Sequence, residues 1–292
     1  MRLSICHETD YRYDEAPNSV IELLRLTPAS TANQTVRSWR IDVSGDAALR
    51  RSEDAFGNLV HTFSVLSPGE NLTITATGTV DTEPTNGVVT GTPERLPVGV
   101  YLRNTPLTEP DDAIRDLAAA ARAKSGGAPL DRAHAINTMV FESMTYETGR
   151  TTAATTASAA LESGLGVCQD LTHILIAAAR VDGLPARYVS GYQYVEGRPR
   201  AMHESHAWAE IHLPDLGWVS FDPTVGMCGT DHYVRLAVGL DTMSASPLRG
   251  AIYGGLGEVL DVTVTVDCVF GPSGRQRQTQ SGPGGSQSQS MD

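Results

Sequence analysis

The sequence predicts an α+β protein in which an all-β, sandwich-like N-terminal domain, residues 1–98, precedes a mixed core, residues 99–270. Three observations predict it. Period-two alternation runs through the first hundred residues, a helical period replaces it from Pro110, and a stretch rich in Thr, Gly and Pro separates the two regimes.

In the first region Trp39, Ile41 and Val43 alternate with polar neighbours, as do Leu59, His61, Phe63 and Val65, and Leu72, Ile74 and Ala76. That is the pattern of half-buried strands. Ser44-Gly45-Asp46, Gly57-Asn58 and Pro68-Gly69-Glu70 break the runs with turn chemistry. Pro84 to Pro97 has no period and reads as a linker. Beyond it, PDDAIRDLAAAARAKSGG opens with acids in its first turn and ends on a glycine pair, as a helix should. A second helix, capped by Asp131, sets Ile136, Met139 and Val140 at helical spacing. After Gly257, EVLDVTVTVDCVF alternates Val259, Asp261, Thr263, Thr265 and Asp267 with Leu260, Val262, Val264, Val266 and Cys268. This long strand with one wet face is expected to pair back onto an existing sheet. Residues 271–292, rich in Gly, Ser and Gln, cannot bury apolar surface and are expected to be a disordered tail.

Composition narrows the function classes. A chain of 292 residues with 40% hydrophobic and 19% charged residues can build a sizeable core. A net charge of -12 argues against a nucleic-acid or anionic-membrane partner, either of which would need a concentrated basic surface. The N-terminus MRLSICHETDYRYDEAP is too polar for a signal peptide, and no apolar run reaches membrane-spanning length. A cytoplasmic location is therefore expected. Cys6, Cys168, Cys228 and Cys268 are far apart, with no CxxC pair, and should be free thiols.

One cysteine stands where chemistry is possible. In GLGVCQDLTHILIAAAR, residues 164–180, Leu171, Ile174, Leu175 and Ala178 fall on one helical face and Ile176, Ala177 and Ala179 flank it. The helix is apolar nearly all round and must be central. Gly183 and Pro185 end it. Cys168 thus sits in the first turn, where unpaired N–H groups and the helix dipole favour an anion, with Asp170 alone opposing. Thiols in such places, given a cationic partner, ionise more readily than a free cysteine.

The segment HESHAWAEIHLPDLGWVSFDPT, residues 203–224, supplies that partner. It reads as a hairpin turning at Pro214 to Gly217. Ala207, Ala209, Ile211 and Leu213 share an apolar face with Val219 and Phe221 only if Ile211 lies opposite Val219 and Ala209 opposite Phe221. The other face then carries His206, Trp208, Trp218, Ser220 and Asp222. In that register His206 is the diagonal neighbour of Asp222, within reach of a carboxylate–imidazole hydrogen bond. Cys168, His206 and Asp222 then form a nucleophile, a base and an orienting carboxylate, with Trp208 or Trp218 placed to shield the pair.

Weaker candidates surround these three. His203, ahead of the strand, lacks a carboxylate at a fixed distance. His173 reads as a hydrogen-bonded core histidine. His203, His206, Cys228 and His232 could form a zinc site, but their spacing matches no zinc pattern, and neither a metal nor any other cofactor is expected. Tyr146 and Gln169 could assist an oxyanion, for which the backbone N–H of Cys168 is the surer donor.

These motifs carry a family resemblance. GLGVCQDLTHILIAAARVDGLPARYVSGY, ESHAWAEIHLPDLGWVSFDPTVG and GLDTMSASPLRGAIYGG resemble the bacterial transglutaminase-like superfamily, in its cysteine peptidase branch with an N-terminal β domain. MRLSICHETDYRYDEAP and LLRLTP resemble the opening of that N-terminal region. The resemblance implies a papain-like core in the order Cys, His, Asp and assigns nucleophile, base and orienter to Cys168, His206 and Asp222. It implies a peptide or protein substrate. The acyl acceptor stays open between water, which makes a peptidase or amidase, and an amine, which makes a transglutaminase. A non-catalytic peptide-binding module is the third reading.

Overall fold

The computed structural model describes residues 1–45, 47–197, 201–202 and 205–269. The tail expected at 271–292 and the candidate His203 lie outside the described residues.

The N-terminal region is a two-sheet sandwich. One sheet places Arg2–Glu15 between Leu256–Cys268 and Asn71–Thr82, with Gln34–Val43 beyond the latter and Ala201–Met202 at the opposite edge. The other runs Leu248–Tyr253, Ser19–Leu24, Leu59–Leu66, Arg50–Glu53. Tyr11, Leu72 and Ile74 from the first sheet meet Val20, Leu24, Phe63 and Val65 from the second in one buried cluster. The expected strands at Trp39, Leu59 and Leu72 are all present.

The strand after Gly257 does pair back, but with the N-terminal sheet rather than within the core region to which its position in sequence assigns it. It runs antiparallel to the first strand from Leu3↔Cys268 to Glu15↔Leu256. Val264 and Val266 are buried as the alternation requires, whereas Leu260 is half exposed. The sandwich is thus closed by both ends of the described chain.

Pro84 to Pro97 is not merely a linker. Val88 and Val89 add a short edge strand to the core sheet, opposite Val219 and Trp218. Two valines suffice for such a strand, too short a run to produce a period.

In the core, helices Asp112–Lys124, Pro129–Ser143 and Ala157–Ser163 surround the central helix Cys168–Val181. Asp111 caps the first by accepting from the Ile114 N–H, and Gly126 and Gly127 follow its end. The second begins on Pro129, with Ala128 as its cap, so Asp131 lies inside its first turn. Proline is favoured there because the first helical N–H has no partner to lose. The central helix is buried from Leu171 to Arg180 and ends at left-handed Gly183, φ 78°.

This helix packs on a sheet ordered Met227–Cys228, Gly217–Asp222, His206–Leu213, Ala186–Gln193, Tyr233–Gly239. Ala207, Ala209, Ile211, Leu213, Val219 and Phe221 all face the helices in one cluster. The opposite face, read from the sequence as polar, is covered as well. Val189, Trp208 and Val238 pack there with Phe56 and Tyr233. A buried ion network occupies the same region: Glu210 accepts from Arg187 at 2.6 Å and from Arg235 at 2.9 Å, and Arg187 lies 3.8 Å above the Trp218 ring.

Glu210→Ala would leave two guanidinium groups without their shared carboxylate, a change that costs about 3–5 kcal/mol for buried pairs. Urea unfolding should show a loss of this size, with Glu210→Gln intermediate. A loss below about 1 kcal/mol would place the network's charges in solvent-like surroundings.

Candidate active site

The hairpin has the register that burial required. Ile211 pairs with Val219 and Ala209 with Phe221, and Leu213 pairs with Gly217 across a three-residue turn, Pro214 to Leu216. Asp215 takes φ 68° in that turn. The diagonal contact follows: His206 Nε2 lies 2.6 Å from Asp222 Oδ2.

Asp222 is fully buried, yet both of its oxygens are occupied. Oδ2 also accepts from the Tyr233 hydroxyl at 2.7 Å. Oδ1 accepts from the Thr224 N–H at 2.8 Å and its hydroxyl at 2.6 Å. Burial pushes the carboxyl pKa up, but the bond to His206, then those of Thr224 and Tyr233, outweigh it and hold the value below the ordinary one. Asp222 is therefore a carboxylate.

His206 shows the complementary shift. Burial opposes its charge, but the Asp222 bond prevails, with the nearby Cys168 sulfur adding to it, raising its pKa to about 10. With Nε2 committed to Asp222, Nδ1 is the nitrogen available to sulfur. Trp208 and Tyr233 flank the imidazole, with ring centroids 6.1 and 5.9 Å away. Of the two tryptophans expected to shield it, Trp208 does so. Trp218 packs instead on Tyr101.

Cys168 is the first residue of the central helix and is 6% exposed. Asp170 does not confront the thiol. One of its oxygens accepts from the Val167 N–H at 2.9 Å and from the Thr151 hydroxyl at 2.6 Å, tying the helix start to the preceding loop. The first-turn N–H groups remain as donors beside the sulfur.

Cys168 and His206 open onto a cavity of about 390 Å³ between the core and the sandwich. Thr151, Gln169, Tyr188 and Thr242 line its core side, and His7, Leu248, Leu260 and Val262 its sandwich side. Gln169 thus stands at the cleft, its amide oxygen 3.4 Å from the Thr242 hydroxyl. Tyr146 is half exposed and is not among the lining residues. His173 is buried under the site and accepts from the Thr242 N–H at 3.1 Å, and burial lowers its pKa to about 4. Among the described residues no group of three or more His, Cys, Asp or Glu side chains is arranged to hold a metal.

Two contributors escaped the sequence reading. Thr224 was within reach, because Asp-Pro-Thr is an Asx-turn pattern in which the Asp side chain bonds the N–H two residues on. Tyr233 had no signal, since only folding brings it to Asp222.

Residues 117–223 match the transglutaminase-like superfamily, and residues 3–81 match the bacterial transglutaminase-like N-terminal region. The chain belongs to the transglutaminase-like superfamily. An uncharacterized protein of Mycobacterium tuberculosis is 31% identical over 291 residues, covering 91% of this chain and 92% of the relative. A protein-glutamine gamma-glutamyltransferase of Pseudomonas aeruginosa is 37% identical over 65 residues, 20% of this chain and 10% of that enzyme. A crystal structure described as a "Putative Cysteine Protease" from Cytophaga hutchinsonii superposes with TM-score 0.72 at 20% identity, covering 93% of both chains. This transglutaminase-like fold therefore includes the N-terminal sandwich as well as the core.

The His206–Asp222 pair makes stability depend on pH in a defined direction. The folded protein holds the His206 proton more tightly than an unfolded histidine near 6.5, so its contribution is full below that value and drains away toward about pH 10. Asp222 is held below its ordinary 3.8, so its contribution is present above that value and is lost as pH falls through the folded pKa. The unfolding free energy of wild type minus Asp222→Asn should accordingly be largest between about pH 5 and 6.5 and shrink steadily toward about pH 10. A difference that stays constant across that range would contradict the ion pair.

Proposed function

We propose that the protein is a cysteine-dependent hydrolase of peptide or amide bonds. Cys168 is the nucleophile, His206 the general acid and base, and Asp222 the carboxylate that fixes the imidazole. The observation that supports this best is a charged histidine held between a saturated carboxylate and the thiol at the opening of an interdomain cleft.

The chemistry follows in two halves. Sulfur attacks the substrate carbonyl carbon, and the developing oxyanion is met by the first-turn N–H of Cys168 with Gln169 nearby. The C–N bond breaks as His206 delivers its proton to the leaving amine, leaving a thioester. His206 then takes a proton from water, whose oxygen attacks the thioester carbonyl. The C–S bond breaks, and the acid departs with the thiolate–imidazolium pair restored. The partner is a peptide or protein, with no role for nucleic acid or membrane. No helix among the described residues is long and apolar enough to cross a membrane. The four free cysteines fit a reducing, cytoplasmic setting.

Similarity to the gamma-glutamyltransferase raises a second reading, in which an amine replaces water as acceptor. The two differ in product. Digestion of a capped, glutamine-containing peptide library with and without methylamine should yield acids in both cases. Products carrying methylamine would assign the transferase reading.

Cys168→Ala should abolish turnover without a detectable change in fold, because removing one sulfur at an open cleft leaves little cavity. His206→Ala should lower kcat at least ~100-fold. Tyr233→Phe removes only one of the donors to Asp222 and should cost about 3- to 10-fold. Wild-type turnover by Cys168→Ala would end the proposal.

A further inference from the structure

The inward face of the first strand reads Leu3, Ile5, His7, Thr9, Tyr11, Tyr13, and every one is buried. Leu3 and Ile5 pack with Tyr192 and Val264, and Tyr11 and Tyr13 pack with Val20 and Phe63 in the sandwich. Between them the strand passes the cleft, and there it is polar. His7 lines the same cavity as Cys168 and His206. Its ring is 1% exposed, with Nδ1 3.0 Å from the Tyr192 hydroxyl and Nε2 buried without a partner among the described residues.

The proton count of this pair is informative. Burial lowers the His7 pKa to about 4, so the ring is neutral at neutral pH. A Tyr192 hydroxyl that donates to Nδ1 fixes the remaining ring proton on Nε2, creating an N–H donor with no acceptor. Buried donors in folded proteins are almost always paired, so an orphan at a cleft marks a place that a ligand completes. The described lining residues include no Asp, Glu, Lys or Arg. The charged His206 at the cleft is already engaged by Asp222, so a further carboxylate would lack a free countercharge, which favours an uncharged acceptor. A peptide backbone offers such a carbonyl at every residue.

We propose that His7 is a substrate-binding residue, its Nε2–H donating to a backbone carbonyl of the acyl donor, so that the N-terminal sandwich builds half of the peptide subsite. The proposal rests on the reading of Cys168 as nucleophile. Leu260 and Val262, on the strand paired beside His7, supply the apolar wall against which the peptide's side chains lie.

Two thiol reagents separate binding from reactivity. Acetyl-Ala-Ala-Ala chloromethyl ketone carries backbone carbonyls, and the Cys168 sulfur bonds to its methylene carbon as the C–Cl bond breaks and chloride leaves, whereas iodoacetamide alkylates the same sulfur with release of iodide and no peptide attached. The ratio of their second-order rates should fall about 10-fold in His7→Phe, through weaker binding rather than a slower maximal rate. His7→Gln, whose amide reaches the Nε2 position, should keep most of the ratio, and His7→Asn, whose amide does not, should lose it. The iodoacetamide rate should agree within about twofold in all four proteins. If His7→Phe fails to fold, the Gln and Asn variants decide the matter alone. Equal ratios in those two, or an unchanged ratio in His7→Phe, would overturn the role of His7. A wild-type Cys168 that iodoacetamide labels no faster than glutathione would overturn the nucleophile itself, and the inference with it.

Discussion

The 2.6 Å bond between His206 and Asp222 is the contact on which the rest of the site depends. It joins two strands of one hairpin, so its existence is a statement about register. Side chains alternate with period two, and a one-residue slip would turn one partner toward the helices and abolish the contact. Alanine and isoleucine facing valine and phenylalanine across the hairpin enforce the register by burial alone. The apolar face thus positions a polar pair on the other side of the sheet.

A buried carboxylate is costly unless its lone pairs are used. Asp222 meets this condition with donors from three separate sources: the cross-strand His206, the Thr224 turn immediately after its own strand, and Tyr233 at the start of strand Tyr233–Gly239. Tyr233 is itself held, accepting from Gln193 at 2.7 Å. Trp208 and Tyr233 exclude water from the imidazole, which strengthens its attraction to the carboxylate. The sandwich completes the arrangement by packing Leu3, Ile5 and Val264 on Tyr192, Val234 and Leu236 of the core sheet and by walling the cleft. Its closure by Leu256–Cys268 means that the end of the described chain helps shape the site near its middle.

Local patterns in the sequence reached far into this structure. The apolar positions of the hairpin determined its pairing, and the glycine-rich approach to an all-apolar helix located Cys168 in a first turn. Family motifs supplied the order Cys, His, Asp. What stayed hidden depends on residues distant in sequence. Nothing near Trp208 or Glu210 announces that their face is covered, because the cover comes from elsewhere in the fold. Val88 and Val89 are too short a strand to carry a period, and the burial of His7 becomes meaningful only when the cleft is seen beside it. Even so, a histidine and a threonine interrupting the inward series of strand 2–15 was a legible irregularity.

The site depends on a histidine kept charged by a register-placed carboxylate. Nitrogen-15 NMR of histidine-labelled protein reads that charge directly. His206 is expected to remain doubly protonated through neutral pH and to titrate near about 10, with a large downward shift in Asp222→Asn. A His206 that titrates between about pH 6 and 7, with the same midpoint in both proteins, would contradict it.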